Sequence, residues 1–212
     1  MVSYDRKNIK PFKMNTPLPL NSKYTTNCRF VHDRYVALNA LPKGGIIAEV
    51  GVLAGDLSEW LLKNIQPKEL HLIDIFYGND FPGRDRFKKK ENEQFIINRF
   101  NQQLQEGQVK MHKGYSWEML AAFPDLCFDW IYIDAAHDYE SVKKDLDQAI
   151  KKVKPSGYII MNDYIMYDHL ANTKYGVVQA TNEFCIEHGW EFIFFAFHPQ
   201  LFCDVVLRKI SA

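Results

Sequence analysis

The 212-residue chain lacks several features that would have fixed its class at once. Its four cysteines, at positions 28, 127, 185 and 203, show neither CxxC spacing nor the pattern of a small disulfide scaffold, so they are expected to be reduced packing residues. It has no net charge, because 26 Lys and Arg balance 26 Asp and Glu. That balance removes the general attraction on which nucleic-acid and anionic-membrane binders rely, and neither partner is expected. No apolar run is long enough to span a membrane, and Met1-Val2-Ser3-Tyr4-Asp5-Arg6-Lys7 lacks the apolar stretch of a secretory signal; a cytoplasmic location is expected. The dinucleotide fingerprint G-x-G-x-x-G is missing, as are internal repeats and low-complexity tracts.

What is present is an ordinary globular composition, 47% hydrophobic and 25% charged, which favours neither a disordered nor a fibrous chain. Residues 1 to about 26 are polar with Pro11, Pro17 and Pro19 and are predicted to form an extended arm. Phe30, Val31, Tyr35, Val36 and Leu38 suggest a helix from Arg29 to Leu41, ended by Pro42-Lys43-Gly44-Gly45. The arm and this helix, residues 1–44, are expected to cover a site in the domain formed by residues 45–212.

From Ile46 onward strand-like and helical runs alternate. Strands are predicted at Ile46–Gly51, Leu70–Phe76, Val109–Gly114, Trp130–Ala135 and Tyr158–Asn162, with helices near Asp56–Ile65, Arg86–Leu104, Trp117–Ala122, Tyr139–Val153 and Gly176–His188. Such alternation specifies βαβ units and a mostly parallel sheet with helices on both faces. Val142, Leu146, Ile150 and Val153 share one helical face and are predicted core. The basic run Arg84, Arg86, Lys88, Lys89 and Lys90 is followed by Glu91 and Glu93 and reads as a solvated helix start, with a phosphate or lid role as the alternative. The last two strands, Glu191–Phe197 and Cys203–Leu207, are joined by too few residues for a parallel crossover and must form an antiparallel hairpin. The expected architecture is a Rossmann-like α/β sheet of seven strands.

Two groups of residues carry chemistry. Glu49-Val50-Gly51-Val52-Leu53-Ala54-Gly55 ends the first strand and opens a helix. Gly51 and Gly55 permit a close backbone approach, while Glu49 suits a cationic ligand. Asp74 closes the second strand, where an acid commonly meets ribose hydroxyls. Gly114, Ser116 and Trp117 follow the third strand and suit hydrogen bonding and stacking against an adenine. The other group lies at the ends of the next two strands, in Asp134-Ala135-Ala136-His137 and Asn162-Asp163. A carboxylate beside an imidazole suits metal binding, proton removal or both, and Asp134, Asn162 and Asp163 are the oxygen donors that Mg²⁺ prefers. Tyr164 to Tyr175 is predicted to wall an acceptor site, and His71, His112, His188 and His198 are expected to be structural.

The sheet pattern and the E-x-G-x-x-x-G loop resemble those of the class I S-adenosylmethionine-dependent methyltransferases, over roughly residues 45–209. The strand ends look most like the cation-dependent O-methyltransferases, both the catechol and caffeoyl-coenzyme A type and the macrocin type. That resemblance implies a cofactor site at Glu49, Gly51, Gly55, Asp74, Gly114, Ser116, Trp117 and Asp134. His137 stands where the family's D-A-D-K motif has its lysine base, and Asn162-Asp163 replaces the family's D-N or D-D, which leaves a less anionic site for a metal. The expected activity is methyl transfer from S-adenosylmethionine to a small-molecule hydroxyl, with His137 and Asp134 catalytic and Asp134, Asn162 and Asp163 holding Mg²⁺ if a metal is used. A nicotinamide-dependent oxidoreductase and an inactive nucleotide- or partner-binding protein on the same fold remain alternatives. The sequence does not set the oligomeric state; a homodimer is one possibility.

Overall fold

The computed structural model describes residues 16–77 and 92–210. Along the chain lie β1 (Arg29–Val31), α1 (Arg34–Asn39), β2 (Ile46–Val50), α2 (Asp56–Asn64), β3 (Glu69–Asp74), α3 (Asn92–Arg99), α4 (Asn101–Gln105), β4 (Val109–Lys113), α5 (Ser116–Ala121), β5 (Phe128–Ile133), α6 (Tyr139–Lys152), β6 (Val153–Met161), β7 (Tyr167–Asp168), β8 (Thr173–Lys174), α7 (Val177–His188), β9 (Trp190–Ala196) and β10 (Asp204–Lys209). Eight strands form one sheet in the order β1-β9-β10-β6-β5-β2-β3-β4, and β7 and β8 form a separate antiparallel ribbon. β10 runs antiparallel to both its neighbours, β9 and β6; the other pairings in the large sheet are parallel.

The strands read as nearly continuous apolar runs because both sheet faces are covered. Ala48, Val50, Ile131 and Ile133 pack with Leu120 of α5, Val142 and Leu146 of α6 and Phe184 of α7. Ile47, Trp130 and Tyr132 pack with Leu38 of α1, Leu61 of α2 and Ile96 of α3 on the opposite face. Burying each such leucine or isoleucine contributes roughly 1.5–3 kcal/mol, so the two packed faces hold the sheet between its helices. β2 lies between β3 and β5, so the chain's order reverses there. In open α/β sheets that reversal opens a crevice at the carboxyl ends, where ligands bind.

The expected parallel sheet with a terminal hairpin is present, with one strand more than predicted. The helix expected over Arg29–Leu41 is split: residues 29–31 pair with Phe194, Phe195 and Ala196 as edge strand β1, and the helix begins only at Arg34. Two local causes account for the split. Phe30 stacks on Phe195 at 5.9 Å, and Asp33 caps α1 by accepting a hydrogen bond from Val36 N at 2.9 Å. A second expected helix, Arg86–Leu104, is interrupted at Phe100 between α3 and α4, and its residues 86–91 lie outside the described part, as does the basic run. No helix among the described residues is long and apolar enough to cross a membrane.

Candidate active site

At the end of β2 the backbone must pass very close to β5. Gly51 has φ +89°, and a Cβ there would lie 1.8 Å from the carbonyl oxygen of Asp134. Its N–H donates to Ile73 O at 2.9 Å, and Asp134 N donates to Val50 O at 2.7 Å, so the three strand ends are laced together. Glycine is thus required here by the protein's own packing, whatever ligand lies above. Gly55 takes φ +74° as the N-cap of α2, and a Cβ there would lie 2.7 Å from the Phe100 ring.

Glu49 is buried and accepts a hydrogen bond from Ser58 Oγ at 2.6 Å. Burial pushes its carboxyl up to about 8, against the opposing pull of the Ser58 hydroxyl. Asp74 shapes the glycine loop: its Oδ2 accepts from Val52 N at 2.7 Å and Leu53 N at 3.3 Å, and its Oδ1 accepts from Phe76 N at 2.8 Å. A carboxylate has about four acceptor positions, so the loop uses most of Asp74 and leaves limited capacity for the expected ribose contact. The exposed Ile75 follows it, an apolar neighbour that the sequence reading passed over.

The turn after β4 is tied to β3 by Gly114 N donating to Asp74 O at 3.0 Å. Ser116 begins α5 and is buried beside Asp145 of α6, whose carboxyl is raised to about 7 by burial, with the Ser116 hydroxyl opposing. Trp117, expected to stack on an adenine, has its ring engaged by Tyr115, 5.0 Å away and nearly parallel, and by the Lys144 ammonium at 4.6 Å.

The second group converges. His137 Nε2 lies 3.4 Å from Asp134 Oδ1 and 3.4 Å from Asp163 Oδ2, and one ligand atom from each of the three residues falls within 4.8 Å of the others. The Nε2 atom is buried and has no well-aligned hydrogen bond. The imidazole stacks on Tyr175 with centroids 4.4 Å apart and rings 8° from parallel, and His137 O accepts from Gly176 N at 2.7 Å, so ring and backbone are both held. Burial pulls the His137 pKa down, but Asp134, Asp163 and Asp168 more than reverse this and leave it raised. Asp163 sits in the left-handed region at φ +51°, and its carboxyl is pushed up to about 7 by burial and by Asp134, with His137 and Arg34 opposing. The predicted acceptor wall contains the β7–β8 ribbon, where Asp168 Oδ2 accepts from Tyr175 OH at 2.9 Å.

Asn162 is anchored through its amide nitrogen. Its Nδ2 donates to Tyr132 OH at 3.3 Å and to Asp204 Oδ1 at 3.1 Å, in a buried network beneath the two aspartates. Tyr132 OH donates to Asp204 Oδ2 at 2.7 Å and accepts from Arg34 Nη1 at 2.9 Å. His137 converges with the two carboxylates, a donor beyond the Asp134, Asn162 and Asp163 named as oxygen ligands. Arg34, Tyr132 and Asp204 were not foreseen, and Tyr175 was foreseen only as the end of the acceptor wall; Tyr132, a polar tip in an otherwise buried strand, was the one local signal. His71, expected to be structural, pairs with His112 at 2.9 Å and lies 3.3 Å from Glu69 on the flank of the sheet, away from this cluster.

Solved structures share the fold. A S-adenosylmethionine-dependent methyltransferase from Aquifex aeolicus aligns over 84% of this chain and 88% of its own, with a TM-score of 0.58 and 15% identity. The N-methyltransferase NodS from Bradyrhizobium japonicum, in complex with S-adenosyl-L-homocysteine, aligns over 84% and 83%, at 0.56 and 14%. The 1,6-didemethyltoxoflavin-N1-methyltransferase of Burkholderia thailandensis, with 1,6-didemethyltoxoflavin and S-adenosylhomocysteine bound, aligns over 82% and 74%, at 0.55 and 11%. No curated protein matches the sequence significantly. A family model described as a methyltransferase domain matches residues 48–164, which run from β2 through Asp163 and make up more than half of the 212 residues, and the chain belongs to that methyltransferase-domain family.

Proposed function

We propose that the protein transfers the methyl group of S-adenosylmethionine to a hydroxyl oxygen of a small acceptor. The observation that carries this reading is the meeting, on one rim of the sheet, of the Gly51–Gly55 loop with the Asp134–His137–Asp163 cluster. Two of the proteins with this fold hold S-adenosylhomocysteine, which supports the cofactor but not the acceptor, since both are named as nitrogen methyltransferases. The acceptor atom is argued from the cluster instead.

A sulfonium methyl is electrophilic without help, so the protein must align the acceptor and take its proton. In the proposed step the acceptor oxygen forms the new bond to the methyl carbon as the carbon–sulfur bond breaks, with its electron pair left on sulfur. The hydroxyl proton passes to His137 Nε2, and Asp134 and Asp163 balance the imidazolium. The rim carboxylates favour the cationic cofactor by charge, and Glu49 adds to this once it is ionised.

A cation-assisted form of the same reaction is favoured by one observation: the unbonded Nε2 and two carboxylates converge on a common point. Asp134, Asp163 and His137 fit a divalent ion, and a mixed oxygen and nitrogen set accommodates Mn²⁺ as well as Mg²⁺. When bound, such an ion lowers the pKa of a coordinated hydroxyl.

Transfer of labelled methyl to a panel of catechols, phenols and sugar hydroxyls tests the reaction, with uptake by at least one hydroxyl class expected. Labelling confined to amines would reject the oxygen acceptor, and heat on titration with NAD but none with S-adenosylmethionine would reject the family's chemistry for this chain. Exhaustive chelation separates the two forms: an undiminished rate leaves His137 as the sole proton acceptor, whereas loss of turnover restored by Mg²⁺ or Mn²⁺ supports the ion.

A further inference from the structure

The end of the sheet farthest from β1 holds two histidines that the proposed chemistry does not use. β4 is the last strand there and pairs only with β3, in a register that sets Leu70 to Asp74 against Val109 to Lys113. The turn after β4 depends on the same pairing, because Gly114 N donates to Asp74 O at 3.0 Å. His71 of β3 and His112 of β4 lie on one face of this pair, with Nδ1 of His71 2.9 Å from Nε2 of His112. The rings of Phe123, in the turn after α5, and of Phe128 in β5 pack edge-on against them, and His71 is buried.

The neighbours of the two rings assign their protons. Lys110 Nζ donates to Glu69 Oε2 at 2.6 Å and pulls the Glu69 carboxyl below its ordinary value, so Glu69 is an ionised acceptor at neutral pH. His71 Nε2, 3.3 Å from the same oxygen, therefore carries the hydrogen of the neutral imidazole. Its Nδ1 is left as the acceptor for the Nε2–H of His112. A first added proton goes to His112 Nδ1 and keeps this bond. A second must go to His71 Nδ1, where two N–H groups then oppose each other and the bond is lost. Among the described residues the charged groups that act on the two rings are Glu69 of β3 and Lys110 of β4. Phe123 and Phe128 bring no charge, and Lys152 of α6, which donates to Phe123 O at 2.8 Å, is paired with Asp125 at 2.7 Å. Burial and His112 hold His71 down to about 4, and burial and Lys110 hold His112 down as well.

We infer that the His71–His112 pair is an acid-sensitive latch: with at most one added proton it clips the edge strand β4 and the Gly114–Ser116 turn onto β3, and a second proton releases both. That turn walls one side of the expected cofactor site, so acid opens the site from its flank. A histidine held below its ordinary value of 6.5 stabilises the closed form fully above that pH, and the contribution is lost as pH falls toward 4. Opening of β4 should therefore become roughly fiftyfold more frequent between pH 7 and pH 4.5. Amide hydrogen exchange of the wild-type protein, corrected for its intrinsic pH dependence, reads this opening directly. Protection of the β4 amides bonded to β3, and of the Gly114 amide, is expected to fall over that range relative to β2 and β5, which are paired on both sides. His71→Gln keeps an acceptor for His112 and a donor for Glu69 but cannot take the second proton, and it should make β4 protection independent of pH. Constant relative protection of β4 from pH 7 to pH 4.5 in the wild type overturns the inference without any variant. An undiminished acid loss in a folded His71→Gln protein overturns it as well. Neither readout uses the cofactor, so the S-adenosylmethionine reading stands or falls separately.

Discussion

At the scale of single residues, the site is organised by groups whose partners could not be read locally. Arg34 reaches Tyr132 across 98 positions and Tyr132 reaches Asp204 across 72, so no spacing rule links them. Asp134, His137 and Asp163 were legible because polar residues released at the ends of buried strands stand out against apolar surroundings. Glu49 was also legible as an acid beside the glycine loop, but its burial was not, and burial has a measurable consequence. With its carboxyl raised to about 8, Glu49 is protonated at neutral pH in the free protein. A cationic ligand favours the ionised form, so affinity for S-adenosylmethionine should rise with pH between 6 and 8, approaching tenfold per unit at the steepest, with proton release on binding. Titrations in buffers of different ionisation enthalpy would show that release, and Glu49→Gln should abolish both effects. For the free protein the sign is opposite: the contribution of Glu49 to stability is complete below its unfolded value near 4.5 and is lost as pH rises through 8. A second residue-scale expectation concerns His137→Ala, which should keep cofactor binding by calorimetry while turnover falls by about 10²-fold or more; unchanged turnover would remove His137 from the reaction.

At the scale of elements, periodicity revealed the long helices and buried strands but missed short pieces defined by their neighbours. β1 has three residues, and Phe30 and Val31 fit a helical stripe as well as a strand until β9 offers an open edge. The split from α1 depends on Asp33, whose carboxylate takes the place of a missing backbone acceptor at the helix start. Asp33→Ala is expected to destabilise the protein by about 1 kcal/mol in denaturant unfolding. The break at Phe100 between α3 and α4 was invisible for a related reason: Phe100 packs against the glycine loop, a contact known only once the sheet has formed.

At the scale of the whole molecule, the alternating order of elements was enough to specify the parallel sheet, the terminal hairpin and the rim where ligands bind. Beyond this frame lie an eighth strand, soon followed by Arg34, and the β7–β8 ribbon, directly followed by Tyr175. Short elements and loops of this kind are where acceptor recognition is expected to differ among proteins that share a fold. The measurement that bears most directly on the account is a crystal structure of the protein with S-adenosylhomocysteine. The account predicts the adenosyl group over the Gly51–Gly55 loop near Asp74 and the sulfur facing Asp134 and His137. A crevice left empty at saturating ligand, or a ligand bound away from β2 and β5, would contradict it.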